Sequence, residues 1–263
     1  MNCIVCMKAV PSTTNVRMDP VTNTIVRDGR QSVLNPFDLS ALEVAVRLRE
    51  RLGGGVCALS MGIPDTERLL RDALARGADR GVLLSDRAFA GADTLATSYA
   101  LACGVRHLAE GGLRADLVVC GKMAVDGDTA QIGPELACAL GLPCVTGVEE
   151  VLDADARRLR LRREVDGGSE VVEVGLPAVV TVVKDVCNPR LPSIAGVRFG
   201  QDGPVEVLTA PQVGADPARI GLAGSPTQVL RSFAPERATE ATRVAGDAAA
   251  QAAAIIELVE RGA

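Results

Sequence analysis

The sequence contains little of what acid–base and nucleophilic enzymes use. Its only histidine, His107, lies at the polar end of a helical stretch, without an evident acidic or nucleophilic partner. Gly121-Lys122 lacks the GxxxxGK[ST] frame of a P-loop, and no GxGxxG follows the first apolar run. We therefore predict no catalytic residues, place His107 at the surface, and regard a nucleotide-using ligase or kinase as the weakest alternative.

An excess of charge of one sign and long apolar runs are also missing. The formal net charge is -5, and the interspersed acidic and basic residues argue against nucleic-acid binding and against a polybasic membrane surface. No apolar run approaches the roughly 18 residues of a membrane span. The first residues enter a strand pattern directly, without the pattern of a cleaved leader. We expect a cytoplasmic protein whose partners are small molecules or other proteins.

The eight cysteines are scattered over a chain too large to need disulfide staples. Most lie in apolar strand or helix patterns, which indicates reduced core residues. Cys3 and Cys6 form a C-x-x-C motif, but three positions apart on a strand their side chains point to opposite faces. That geometry suits a common metal ion poorly, so we predict core packing and no metal site.

Apolar runs alternate with segments of helical periodicity along the first half of the chain. The runs are continuously apolar, as strands are when helices cover both faces of a parallel sheet. The pattern predicts strands over 3–10, 56–61, 81–84 and 117–120, and helices over 38–52, 66–76, 93–110 and 135–140. The fold class is therefore α/β, with an open, mostly parallel sheet of the Rossmann-like or adenine nucleotide α-hydrolase-like kind.

The later half of the chain has a different texture. Residues 159–165 and 170–174 flank Asp166-Gly167-Gly168 and predict a hairpin, and residues 178–183 predict one more buried strand. From about Leu191 the signals weaken into proline-punctuated loops, before residues 247–260 regain helical character. We predict a nucleotide-binding domain over 1–190 and an extended C-terminal arm over 191–263 that contacts a partner subunit. The alternative is a tail that folds back onto its own domain.

The most informative segment runs from Gly121 to Pro134, between a buried strand and a helical pattern. A glycine-rich, hydroxyl-bearing turn in that position exposes unpaired backbone amides where phosphates bind. Asp126 and Asp128 would repel a phosphate, so we expect them to cap a helix, fix loop amides or accept from a ribose hydroxyl. Lys122 supplies a counter-charge. The segment predicts a nucleotide site.

Three further turns follow strands or precede helices and are expected at the same edge of the sheet. They are Val10-Pro11-Ser12, Asn35-Pro36-Phe37-Asp38 and Ser60-Met61-Gly62. Taken singly, Asn35 and Asp38 are equally well explained as a turn and a helix N-cap.

The chain resembles a known family, the β subunits of electron transfer flavoproteins. Seven segments carry the resemblance in the family's order: Val10-Pro11, Asn35-Pro36-Phe37, Ala41 to Leu48, Ala73 to Arg80, Lys122 to Gly133, Leu176 to Thr181 and Asn188 to Ser193. The resemblance implies a heterodimer with an α subunit that holds an electron-transferring FAD, while the β subunit binds an adenine nucleotide. By position that site would be lined by Ala9, Val10, Pro11, Asn35, Pro36, Phe37, Asp38, Met61, Gly121, Lys122, Met123, Ala124, Val125, Asp126, Gly127, Asp128, Thr129, Ala130, Gln131, Ile132 and Gly133.

Family members differ in the β nucleotide. Respiratory-type members hold a structural AMP, whereas electron-bifurcating members hold a second FAD that takes a hydride from NADH and splits its two electrons between two acceptors. Residues 85–94 and 221–227 resemble the bifurcating branch, as do residues 231–233. The resemblance therefore favours FAD, with Ala92, Asp93, Thr94 and Thr97 beside it, and NADH as a candidate donor. The alternative for Asp93 and Thr94 is a plain helix start.

The segment Asn188 to Ile194 resembles the family's recognition loop. The resemblance implies that Arg190, Leu191, Pro192 and Ile194 meet a partner dehydrogenase, which can be of the acyl-CoA dehydrogenase type, with Leu191 entering a pocket on it. A different class of function stays open, a stand-alone adenine-nucleotide-binding protein of the stress-protein type. That alternative predicts a homodimer without flavin, and the long tail argues against it.

Overall fold

The structure is a computed structural model that describes residues 1–12, 32–230 and 243–262. The chain forms two compact units, Met1–Val229 and Leu230–Ala263. The strands are β1 (Cys3–Cys6), β2 (Ala9–Pro11), β3 (Ser32–Leu34), β4 (Val56–Met61), β5 (Arg80–Leu84), β6 (Leu117–Gly121), β7 (Cys144–Ala154), β8 (Arg158–Val165), β9 (Gly168–Gly175), β10 (Ala178–Val182) and β11 (Val205–Leu208). The helices are α1 (Pro36–Leu52), α2 (Glu67–Ala75), α3 (Thr94–Glu110), α4 (Ile132–Leu140), α5 (Ile194–Asp202) and α6 (Ala248–Gly262).

Nine strands form one sheet in the order β11-β5-β4-β1-β6-β10-β7-β8-β9. Neighbours from β11 to β7 pair in parallel, and β8 and β9 continue antiparallel. The mostly parallel α/β prediction is therefore confirmed. The chain runs from β1 to β4 and β5 on one side and then crosses to β6 and β10 on the other. The topological switch point, where such sheets bind ligands, lies between the carboxyl ends of β1 and β6.

The core has two layers because side chains alternate along each buried strand. Cys3 and Val5 face α1 and α2, whereas Ile4 and Cys6 face α3 and α4. The prediction that the C-x-x-C side chains point to opposite faces is confirmed. All eight cysteines are free thiols, and five are buried. Cys138 and Cys144 are exposed, so the core interpretation is wrong for these two.

Most predicted elements have the expected type, and the first predicted strand is divided. The chain leaves the sheet after β1, because the amide of Lys8 donates to the Asp38 carboxylate and its carbonyl accepts from the amide of Asn35. Residues Ala9–Pro11 then pair with Ser32–Leu34 in a separate antiparallel ribbon. Helix α1 begins at Pro36, two residues earlier than predicted, since proline is favoured in the first helical turn.

The region after Leu191 differs from the expectation of loops. Helix α5 packs against α2, and β11 extends the sheet beside β5 within the first compact unit. The glycines in α5 allow close packing, since a Cβ on Gly196 or Gly200 would meet the backbone of α2 at 2.2 or 2.6 Å. The segment for which the sequence predicts a loop therefore forms a helix that packs against another helix.

The long strand β7 was not predicted, although the hairpin β8–β9 beside it was. Its register against β8 shifts at two places, which breaks the regular alternation that identifies a strand. Leu159 and Leu161 of β8 join the same core layer as Leu42 and Leu48 of α1. The hairpin therefore helps to cover α1, a helix that is buried along most of its length.

The second unit contains helix α6, which confirms the predicted terminal helix. Within that unit Ile255, Ile256, Leu258 and Val259 are exposed. The segment 231–233, which resembles the bifurcating branch, lies outside the described residues. None of the helices in the described part of the chain combines the length and apolar character needed to cross a membrane.

Candidate functional site

The first turn of α1 joins the two strands that flank the switch point. Asp38 is 5% exposed, and its carboxylate accepts from the backbone nitrogen of Lys8 at 2.7 Å and from that of Gly121 at 3.2 Å. Burial raises the pKa of Asp38 to about 7, although these amides and Asn35 act in the opposite direction. A Cβ on Gly121 would lie 2.4 Å from the Asp38 carboxylate, so the close approach requires glycine. Asp38 thus joins strand ends instead of capping its own helix.

Asn35 fastens the loop that follows β6. It is the N-cap residue of α1, but its side chain makes no capping bond. Its Nδ2 donates to the carbonyl of Met123 at 2.9 Å, and its Oδ1 accepts from the amide of Val125 at 3.3 Å. At 1% exposure, this amide group is an internal tie between α1 and the loop. Pro36 and Phe37 continue the turn, and a Cβ on Gly121 would meet the Cβ of Phe37 at 2.6 Å.

The predicted turns after β1, β4 and β6 meet at one cleft. Ala9, Pro11, Met61 and Asp126, all predicted site residues, line it, and Val10 is buried beside it. Gly62, which belongs to the predicted turn after β4, also lines it. Sequence reasoning missed the other lining residues, which are Lys8, Ser32, Ile63, Asp65, Thr66 and Leu69. The cleft opens on the α1 and α2 side of the sheet edge, where the turns after β1 and β4 meet the loop after β6, and no residue of the predicted turn from Asn35 to Asp38 lines it.

The loop from Lys122 to Gln131 has an unusual backbone. Asp128 and Ala130 have φ angles of 49° and 54°, a region that non-glycine residues adopt at a cost of about 1–3 kcal/mol. Gln131 follows Ala130 in the right-handed region, and such an alternation of left- and right-handed residues is typical of the backbone nests that bind anions. Gln131 gives α4 no side-chain cap, so no capping side chain binds the first amides of the helix, those of Ile132 and Gly133.

The far end of this loop meets the start of α3. The Thr94 hydroxyl lies 3.2 Å from Oε1 of Gln131 and 3.1 Å from Oε1 of Glu135. Ala92 and Thr97 are half-buried nearby, and none of Ala92, Asp93, Thr94 and Thr97 lines the cleft itself. The same loop contains the remaining predicted site residues, which are Met123, Ala124, Gly127 and Thr129. The loop therefore connects two groups of predicted site residues, one on each face of the sheet.

Asp93 is the N-cap of α3, as the alternative interpretation holds. Its carboxylate accepts from the amide of Ala96 at 3.0 Å and from the hydroxyl of Thr227 at 2.8 Å. Burial acts to raise the pKa of Asp93, but these hydrogen bonds outweigh it and lower the pKa. The carboxylate thus holds segment 221–227 against the helix start.

The chain has three lysines, and each follows the carboxyl end of one of three adjacent strands. Lys8 follows β1, Lys122 follows β6 and Lys184 follows β10. Lys8 pairs with Asp126 at 2.7 Å, and Lys122 pairs with Glu164 of β8. An ammonium group is a compact charge suited to phosphate. The scarcity of lysine in a chain rich in arginine is the sequence signal that could have found Lys8 and Lys184.

The predicted recognition segment lies away from this edge, between α1 and α5. Leu191 and Ile194 are 85% and 86% exposed, and Pro192 between them is half-buried. Arg190 is bound to Glu43 and Glu50 of α1. The structure therefore presents two apolar side chains to solvent next to an anchored arginine.

One buried polar atom near the cleft has no partner among the described residues. The hydroxyl of Ser60, next to Met61 at the carboxyl end of β4, makes no hydrogen bond there. Buried polar groups are almost always satisfied, so an orphan at a strand end fits a site that is completed by a ligand. Together with Lys8, the lysine that lines the cleft, it suits a phosphate-bearing nucleotide.

Comparison with known proteins identifies the family. A model of the electron transfer flavoprotein domain matches residues 22–213. The chain is 46% identical over 236 residues to the electron transfer flavoprotein subunit beta of Clostridium acetobutylicum, which covers 90% of this chain and 89% of that protein. It is 44% identical over 260 residues to protein FixA of Azorhizobium caulinodans, covering 97% and 92%. Subunit CarD of the caffeyl-CoA reductase-Etf complex of Acetobacterium woodii is 43% identical over 236 residues, covering 89% and 88%. The chain therefore belongs to the electron transfer flavoprotein family and is related to its β subunits.

Proposed function

We propose that this chain is the β subunit of a heterodimeric electron transfer flavoprotein and that it binds an adenine nucleotide at the switch point of its sheet. The observation that carries the proposal is the convergence there of the turns after β1, β4 and β6, joined by Asn35 and Asp38. The partner in the heterodimer would be an electron transfer flavoprotein α subunit.

The nucleotide that we propose is FAD, with AMP in the same site as the alternative. The resemblance of residues 85–94 to the bifurcating branch supports FAD. The connection of Thr94 to Gln131 supports it as well, because it brings the start of α3 to the phosphate-binding loop. Ala9 and Met61 would contact the nucleotide from the cleft, while the amides of Ile132 and Gly133 would face its phosphates.

The residues of this chain bind and orient the nucleotide. Asn35 holds the loop carbonyl of Met123 and the amide of Val125, and Lys8 provides positive charge at the cleft. When bound, the flavin ring of FAD supplies the redox chemistry, and the protein sets its position and electrostatics. In this proposal the complex takes electrons from NADH or a dehydrogenase and divides them between two acceptors by flavin-based bifurcation.

The proposed docking element for a dehydrogenase is the segment from Arg190 to Ile194. Its support is the exposure of Leu191 and Ile194, two large apolar side chains on a segment fixed to α1. A dehydrogenase of the acyl-CoA dehydrogenase type with an apolar pocket would receive one of them.

The test is to co-express the chain with its α subunit, denature the purified complex, and quantify the released nucleotides by chromatography. Two FAD and no AMP per heterodimer are expected. One FAD with one AMP would replace the bifurcation proposal with a non-bifurcating carrier. A flavin-free homodimer that binds ATP would overturn the assignment as a β subunit in favour of a stress-type protein.

A further inference from the structure

Arg190 is held by two carboxylates from one helix, an arrangement of Arg190, Glu43 and Glu50 that we call the arginine clamp. Its Nε donates to Oε2 of Glu43 at 2.8 Å, and its Nη1 donates to Oε1 of Glu50 at 2.6 Å. Its Nη2 donates to the second oxygens of the same two groups, at 3.3 and 3.0 Å. The two glutamates are seven positions apart on α1, so they lie on the same face of the helix. The guanidinium is therefore bound in its own plane by both carboxylates.

The backbone of Arg190 is fixed as well. Its amide donates to Oε2 of Glu43 at 3.1 Å, and its carbonyl accepts from Nη1 of Arg76 at 3.0 Å. Arg76 directly follows α2, so the peptide groups on both sides of Arg190 are held by the helical scaffold. Such a double attachment leaves the following residue, Leu191, little freedom.

Glu43 makes the arginine clamp costly to open. This carboxylate is 4% exposed, and it also accepts from Nε of Arg47 at 2.7 Å. Burial acts to raise the pKa of Glu43, but the hydrogen bonds from Arg190 and Arg47 outweigh it and lower the pKa. Turning the Arg190 guanidinium toward a partner would leave a buried charge with only one cation, which is strongly unfavourable.

We infer that Arg190 is a positioning residue that presents Leu191 and Ile194, and that it does not itself contact the dehydrogenase. This inference rests on the proposed function and assigns a role within its docking segment. The arginine clamp fixes the chain before Leu191, and the Ser193 hydroxyl caps α5 by accepting from the amide of Gly196 at 3.0 Å. Two apolar side chains held from both sides lose little conformational entropy on docking, which favours binding.

The test uses the complex with the α subunit and two variants, Glu50→Ala and Arg190→Lys. Glu50 lies on the exposed part of α1, where alanine is a good helix former. The matched control is Glu206→Ala, because Glu206 is 47% exposed and pairs with Arg80 at 3.0 Å, as Glu50, 49% exposed, pairs with Arg190 at 2.6 Å. Neither variant changes Glu43 or Arg47. The buried Glu43 carboxylate therefore never loses both of its arginine partners, Arg47 and Arg190.

Two readouts report on the arginine clamp itself. We expect the amides of Leu191, Ser193 and Ile194 to exchange with deuterium about tenfold faster in both variants, since a charge-assisted attachment has been removed. Trypsin should also cut after residue 190 about tenfold faster, because lysine and arginine are both substrates and the arginine clamp helps to hold the bond in place. The Glu206→Ala complex should match the wild type in both.

The third readout is electron transfer from a purified acyl-CoA dehydrogenase reduced with its acyl-CoA substrate. The KM for the dehydrogenase should rise about three- to tenfold in both variants with kcat and FAD content unchanged. If Glu50→Ala lowers the KM while Arg190→Lys raises it, freed Arg190 contacts the partner and the inference is wrong. Unchanged exchange and proteolysis in both variants would also overturn it. A wild-type complex that accepts no electrons from this probe contradicts the proposed partner, and the exchange and trypsin results still decide the role of the arginine clamp.

Discussion

The Asp38 carboxylate lies 2.7 Å from the backbone nitrogen of Lys8, thirty positions earlier in the chain. Its other oxygen accepts from the amide of Gly121, at the end of the neighbouring strand. One buried side chain thus holds together the two strand ends between which the nucleotide is proposed to bind. The stability of this edge and its ability to bind a ligand are therefore linked through Asp38.

The substitution Asp38→Asn is expected to lower the free energy of unfolding by about 1–3 kcal/mol, the usual cost of leaving a buried donor unsatisfied. Asparagine has one acceptor oxygen, so its NH2 group would face one of the two backbone amides. Urea unfolding measures the change, and Asp202→Asn at an exposed position is the control. Equal unfolding curves for the two variants would show that Asp38 does not hold the strand ends.

The same substitution tests how the free energy of unfolding depends on pH. The ordinary pKa of the Asp38 carboxyl is 3.8, and burial raises its pKa in the folded protein to about 7. The folded state then holds a proton that the unfolded state releases, so the stability contribution is fully present below pH 3.8 and is lost as the pH rises through about 7. The difference in unfolding free energy between wild type and Asp38→Asn should shrink as the pH is raised from about 5 to 8. A difference that grows over this range would mean that the amide donors outweigh burial.

The sequence predicts the parallel sheet and the edge where the cleft lies, because both follow from local periodicity and from the rule that parallel strands end at one edge. It does not predict the buried hydrogen bonds that join these elements. Asp38 has the pattern of a helix start, and only the folded chain shows that its carboxylate reaches Lys8 and Gly121. Helix α5 was missed for a similar reason, because Gly196 and Gly200 weaken the helical signal although they are required by contact with α2.

Asn35→Ala is expected to release the loop after β6 and to weaken nucleotide binding by about tenfold in Kd, since two hydrogen bonds are lost. The matched control is Asn2→Ala. Asn2 also ties two loops, with its Oδ1 accepting from the amide of Gly55 at 3.1 Å, but it precedes β1 and lies at the opposite edge of the sheet. Both variants should lose stability, and only Asn35→Ala should lose nucleotide on dialysis. If both variants retain the nucleotide equally, the loop after β6 is not part of the nucleotide site.

The substitution Lys8→Gln removes a positive charge from the cleft and is expected to leave the stability of the fold nearly unchanged. Its ion pair with Asp126 is partly exposed, and such pairs contribute about 0–1 kcal/mol, so the Tm should change little. The Kd for an anionic nucleotide should rise about fivefold at low salt, and the effect should fade as salt is added. Arg158→Gln is the control, because Arg158 forms exposed ion pairs with Asp155 in the turn between β7 and β8 and with Glu173 of β9, and none of the three lines the cleft. A salt-independent loss would instead indicate a steric change at the cleft.

Leu191→Ala and Ile194→Ala decide which exposed side chain enters the dehydrogenase. Truncating a side chain that is buried at an interface costs about 1–2 kcal/mol or more, so the anchor variant should raise the KM for the dehydrogenase about tenfold without changing FAD content. Val171→Ala on β9 is the control, because Val171 is an exposed apolar residue on a different surface. Leu191 directly follows the clamped Arg190 and is the residue held most firmly, so its variant should show the larger effect. Electron transfer rates that are unchanged in both variants would rule out docking at this segment.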